Sequence, residues 1–127
     1  MFPTHRPRRL RGNAAIRDLV RETRLHPHDF VYPLFVQEQS ADPQAIKSMP
    51  GQYRHSINSL LKRCEETVAS GVRSILLFGI PNEKDAVGSQ ASAEDGVVQR
   101  AIRAIKAEGF PLLVMGDVCL CEYTDHG

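Results

Sequence analysis

Apolar positions along this chain fall into short runs and longer stripes, and their alternation sets the expected architecture. Phe30-Val31-Tyr32-Pro33-Leu34-Phe35-Val36 is rich in β-formers and predicts a first strand, with a bulge or a strand start at Pro33. Ser74-Ile75-Leu76-Leu77-Phe78-Gly79-Ile80 predicts a second, too apolar to expose either face. Leu112 begins a third, led in by Pro111. Between the first two strands, Ile57, Leu60, Leu61, Cys64 and Val68 lie on one helical stripe, with Ser56 as N-cap and Gly71 as the stop. Between the last two, Val98, Ala101, Ile102 and Ile105 form a second stripe, with Asp95 as cap and Gly109 as the stop.

The order β-α-β-α-β predicts right-handed crossovers and a parallel sheet. Periodicity alone does not separate a piece of a (β/α)8 barrel from half of a doubly wound sheet. Gln37 to Tyr53, with the turn dipeptides Asp42-Pro43 and Pro50-Gly51, is expected to be loop. Pro81 to Asp95 is polar and is expected to be loop as well. Ahead of the first strand, residues 1–12 are expected to form an extended basic arm, because they hold prolines and arginines and almost nothing to bury. A short helix is expected from Asn13, its N-cap, with Ile16, Leu19 and Val20 on one side.

The third strand changes chemistry as it proceeds. If the extended conformation persists past the apolar run, Leu113, Met115, Asp117, Cys119 and Cys121 share one face, while Leu112, Val114, Gly116, Val118 and Leu120 stay apolar or small on the other. The carboxyl end of a parallel strand is where α/β proteins place their sites. Two thiolates in a C-x-C arrangement suit a borderline cation such as zinc. Two ligands do not close a site, and Asp117 and His126 are the local candidates for a third. The competing reading is a pair of small buried thiols at a strand end. Cys64, on the helical stripe, reads as a core thiol. Lys47, Lys62, Lys84 and Lys106 fall in loops or on helix surfaces, so none has the desolvated setting a nucleophilic lysine needs.

Composition narrows the function classes. The chain has 127 residues, 42% hydrophobic and 24% charged, with a formal net charge of +1. That balance gives no global pull toward nucleic acid or a membrane surface. The first 24 residues are different, with seven arginines against Asp18 and Glu22 for a local charge of +5. Three cysteines, two of them in C-x-C, do not make a secreted disulfide framework, and no apolar run approaches a membrane span. The opening residues lack the apolar core of a secretory signal, and a cytoplasmic location is expected.

The wording of several segments is more specific than their spacing. Asp117-Val118-Cys119-Leu120-Cys121-Glu122-Tyr123-Thr124-Asp125-His126-Gly127 closely resembles the zinc signature of the porphobilinogen synthase (δ-aminolevulinic acid dehydratase) family. Arg6-Pro7-Arg8-Arg9-Leu10-Arg11, Tyr32-Pro33-Leu34-Phe35-Val36 and Ser48-Met49-Pro50-Gly51-Gln52-Tyr53-Arg54 resemble the same family in the same order, as does Val98 to Lys106. The resemblance implies that residues 13–127 are the amino-terminal part of a (β/α)8 TIM barrel, its first βαβαβ portion, preceded by the arm and short helix. It implies a lyase that condenses two molecules of 5-aminolevulinate to porphobilinogen in tetrapyrrole (haem) synthesis. It further implies a zinc ion on Cys119 and Cys121 and a homo-oligomer, an octamer, held together by the arm. Asp117, two residues before the first thiol on the same predicted face, is expected to be catalytic, orienting a substrate amine or tuning the metal's surroundings; the alternative is a strand-end aspartate that bonds loop amides. No nucleic-acid or membrane partner is implied, and any allosteric Mg2+ site falls outside this chain.

In zinc-dependent members a third cysteine follows the His-Gly pair by two positions, and two Schiff-base lysines lie on later strands. A barrel takes about 250 residues, so this chain is expected to be truncated and inactive by itself. The rival from another class is a non-catalytic α/β interaction domain whose basic arm binds a partner or nucleic acid.

Overall fold

A computed structural model describes residues 2, 4–5, 8–38 and 43–127. The arm expected over residues 1–12 therefore lies partly outside the described residues, as does Asp42 of the predicted Asp42-Pro43 turn. The chain runs through helix α1 (Ala14–Leu19), strands β1 (Val31–Gln37), β2 (Gln44–Ala45) and β3 (Tyr53–His55), helix α2 (Ile57–Ala69), strand β4 (Ser74–Ile80), helix α3 (Val97–Ala107) and strand β5 (Leu113–Gly116).

These strands form one sheet in the order β2-β3-β1-β4-β5. β1, β4 and β5 are parallel neighbours, and β1 meets β4 along its whole length, from Val31 opposite Ser74 to Gln37 opposite Ile80. The segment expected to be loop, Gln37 to Tyr53, contains β2 and ends on the first residue of β3. β3 adds parallel to β1 through Phe35 and Val36, and β2 pairs antiparallel with β3. Strands of two and three residues carry too little alternation to be seen in sequence; their pairing with β1 defines them. Pro33 sits inside β1 rather than at its start. β3 has not yet joined at that point, so the missing N–H there is opposed by a strand on one side only.

Both long helices cover the same face of the sheet. Leu34 and Val36 of β1 and Ile75 and Leu77 of β4 pack against Leu60 and Cys64 of α2 and Val98, Ala101 and Ile105 of α3. Ser56 caps α2, accepting from the Ser59 N–H at 3.3 Å, and Gly71 takes the left-handed conformation just past its end. Asp95 does not cap α3. Gly96 holds that position with no side-chain bond, because the carbonyls of Gln90 and Ala93 approach within 3.0 and 3.2 Å of where a Cβ would stand. Cys64 is wholly buried, and burial pushes its thiol up to about 11, as fits a core residue.

The opposite face has no helix over it among the described residues. Phe35 and Phe78 stack there with ring centroids 5.4 Å apart, and Leu113 at the open edge is 60% exposed. Upstream, Asn13 caps α1 by accepting from the Ile16 N–H at 2.9 Å. Neither α1 nor the 3-10 turn at Arg9–Arg11 buries a residue, so Leu10, Leu19 and Val20 stay exposed.

Candidate functional site

β5 ends at Gly116, earlier than an extended run through Cys121 requires. The Asp117 N–H still reaches the Leu77 carbonyl at 3.0 Å, but the chain then leaves the sheet. It closes into a turn in which the N–H groups of Tyr123 and Thr124 both donate to the Leu120 carbonyl, at 2.9 and 3.0 Å. Asp117 thus continues the alternation of β5 onto the uncovered face, whereas Cys119 and Cys121 are placed by turn geometry.

The turn nevertheless gathers the chemistry. The Cys119 N–H donates to Asp117 Oδ2 at 3.3 Å, and the Cys121 N–H points at Cys119 Sγ at 3.5 Å. One ligand atom each from Asp117, Cys119 and Glu122 lies within 4.8 Å of the others, a group of the kind that holds a metal ion. Both thiols are exposed and neither is in a disulfide. A side-chain hydrogen bond with Cys119, and after it the charge of that thiol, push the Cys121 thiol up.

Glu122 was not singled out by strand alternation, since only a turn brings it back toward Asp117. Its Oε2 is buried without a hydrogen-bond partner, a state shared among the described residues by Gln37 Nε2 at the carboxyl end of β1. Each is an open valence at the same end of the sheet. His126, the other candidate third ligand, is exposed and outside the close group. Lys84 is exposed, as its polar neighbours led one to expect.

Tyr123 anchors the turn from below. It is 6% exposed, and its hydroxyl end fills the space over Gly79 in β4, beside Val97 and Val98 of α3. Burial pushes its phenol up, with the charges of Glu122 and Asp117 adding to the shift. Beside the turn is an open cavity of about 800 Å3, lined by Ala86, Val87, Leu120, Cys121, Thr124 and His126. A second constellation lies away from this end: Tyr32 accepts from Arg63 Nε and Nη2 at 3.1 and 2.8 Å and donates to Gln52 at 3.1 Å. Through it the Ser48–Arg54 segment is tied to α2.

A family model described as delta-aminolevulinic acid dehydratase matches residues 4–127. A protein of that name from Helicobacter pylori is 53% identical over 96% of this chain and 38% of its own length. One from Methanothermobacter thermautotrophicus is 48% identical over 99% of this chain and 39% of its own. The crystal structure of the Toxoplasma gondii enzyme, in complex with its reaction product porphobilinogen, superposes with a TM-score of 0.88 at 36% identity. The match covers 95% of this chain and 35% of that one. The sheet described above is accordingly the first βαβαβ portion of a (β/α)8 barrel, with its helices outside and its uncovered face inward. The chain spans under two fifths of the length of these curated relatives.

Proposed function

The chain belongs to the delta-aminolevulinic acid dehydratase family, and on that premise we propose that it supplies the metal-binding side of an active site that condenses two 5-aminolevulinate molecules to porphobilinogen. The observation that carries this reading is the convergence of Asp117, Cys119 and Glu122 at the carboxyl end of β5, with Cys121 adjoining. Exposed thiols beside a partly buried carboxylate, one of whose neighbours is an unpartnered buried oxygen, form a donor set that fits zinc. Cys119 and Cys121 would hold it. When bound, zinc supplies a Lewis acid that lowers the pKa of an oxygen or amine on the substrate.

The protein's own groups do the rest. Asp117 faces the barrel interior and offers its carboxylate to the ammonium group of a substrate, fixing that end by a charge-assisted hydrogen bond. Tyr123, buried beneath the turn, keeps water from the side of the turn that faces β4 and α3. The 127-residue polypeptide alone carries no desolvated lysine among its described residues, so it forms no Schiff base and does not turn over. The basic arm over residues 1–12, continued by α1, which buries no residue, is suited to wrap a second copy in a cytoplasmic homo-oligomer, an octamer by the family resemblance.

Equilibrium dialysis with zinc tests the metal assignment. The double variant Cys119→Ser, Cys121→Ser is expected to lose stoichiometric binding; unchanged stoichiometry would leave the thiols a structural role only. Porphobilinogen formation by the isolated 127-residue chain is expected to be absent, and measurable turnover would overturn that part of the proposal.

A further inference from the structure

We propose that Asp85, in the loop after β4, is a positioning residue that sets the conformation of the cysteine-bearing turn. The proposal rests on the metal reading of Cys119 and Cys121 and assigns that site a support from outside its own segment.

Asp85 works with both its main chain and its side chain. Its N–H donates to the Tyr123 carbonyl at 3.3 Å, and its carbonyl accepts from the Asp125 N–H at 3.2 Å. The two bonds make an isolated parallel bridge, Asp85 opposite Thr124, that brackets the turn immediately after Cys121. The Asp85 carboxylate faces the other way, and Oδ1 accepts from the N–H groups of Val87 and Ser89, both at 3.0 Å. The Gly88 N–H adds a bond to the Asp85 carbonyl at 3.4 Å. One residue therefore folds its own loop and clasps the metal-side turn. Its carboxyl is held below the usual carboxylate range by the Ser89 hydrogen bonds first, in keeping with an ionised acceptor.

The loop so folded lies close against the turn. Gly88 is buried with φ at +66°, and a Cβ there would stand 3.4 Å from the Tyr123 Cβ and 3.5 Å from the Thr124 Cγ2. Ala86 and Val87, between Asp85 and Gly88, line the same cavity as Cys121. A change in the carboxylate thus moves the loop, the bridge and that lining together. Groups hydrogen-bonded to metal ligands contribute about 10- to 100-fold to metal affinity, and Asp85, one step further out, is expected at the low end of that range.

Cobalt(II) titration of the full chain, read by its thiolate-to-metal charge-transfer absorption, tests this, with thermal unfolding measured alongside. Asp85→Ala is expected to weaken cobalt affinity about tenfold. Asp85→Asn, which keeps the Oδ1 acceptor, is expected to stay near the parent. Thr67→Ala removes a buried 2.7 Å bond to the Arg63 carbonyl far from the turn, and it should lower stability without changing cobalt affinity. If Asp85→Ala binds as the parent does, or loses no more affinity than Thr67→Ala, the proposal is overturned while the metal site stands. If the Cys119→Ser, Cys121→Ser variant keeps the absorption, the metal reading itself fails and the proposal with it. Should Asp85→Ala not fold, Asp85→Glu, which displaces the carboxylate by one methylene, takes its place; parent-like affinity there overturns the proposal equally.

Discussion

The two faces of the sheet are built from similar residues and live in different surroundings. Leu34, Val36, Ile75 and Leu77 point toward α2 and α3 and are essentially inaccessible, whereas Leu113 and Val31 on the other side are 60% and 48% exposed. Composition does not distinguish them, because β4 is apolar at nearly every position. Only the arrival of two helices on one side does. The difference separates a face that stabilises this chain from a face that no helix covers among the described residues. Asp117 stands at the end of the second face, so the candidate site lies on the side that this chain alone leaves open.

Substitutions on the two faces should therefore have unequal effects. Leu77→Ala empties space between β4 and the helices and is expected to cost about 2–5 kcal/mol in a chemical denaturation curve. A loss well under 1 kcal/mol would mean the helices do not pack as described.

A second contrast uses pH. Cys64 sits under the covered face with its thiol raised to about 11 from an ordinary 9.0. The unfolded chain ionises first, so stability is whole below about pH 9 and declines as pH climbs toward 11. Cys64→Ala should flatten that limb, and an unchanged limb would assign it to another group. His55, the buried last residue of β3, is shifted the other way, lowered by burial and then by Arg63. Its contribution is present above pH 6.5 and fades as pH falls below that value, a smaller acid-side slope that His55→Gln should remove. The least effect belongs to Leu113→Ala on the uncovered face, expected within about 0.5 kcal/mol for the isolated chain. A loss matching that of Leu77→Ala would show that something covers the inner face in solution.

How much of this was legible in the residues depends on what kind of order held each part. β4 and α2 were readable because one local pattern, an apolar run or a stripe with Ser56 and Gly71 at its ends, defines each. β2 and β3 were not, since their short length makes them products of pairing with β1. The site was half legible. Asp117 follows from alternation because β5 still governs it. Cys119 and Glu122 come together only because the chain leaves the sheet after Gly116 and turns on the Leu120 carbonyl, a local reversal that a period of two does not encode. Asp85 was hidden for a different reason, distance along the chain. Its role is set by a bridge to Thr124, nearly forty positions away along the chain.

The seating of Tyr123 over Gly79 carries a consequence for how this sequence is free to vary. The phenol and the Val98 side chain together occupy the volume that any side chain at 79 would need, so none of the three positions drifts independently of the others. Relatives with alanine or serine in place of that glycine are expected to carry both a smaller residue in place of Val98 and a ring without a hydroxyl, or no ring at all, in place of the tyrosine. The three substitutions should enter and leave lineages together.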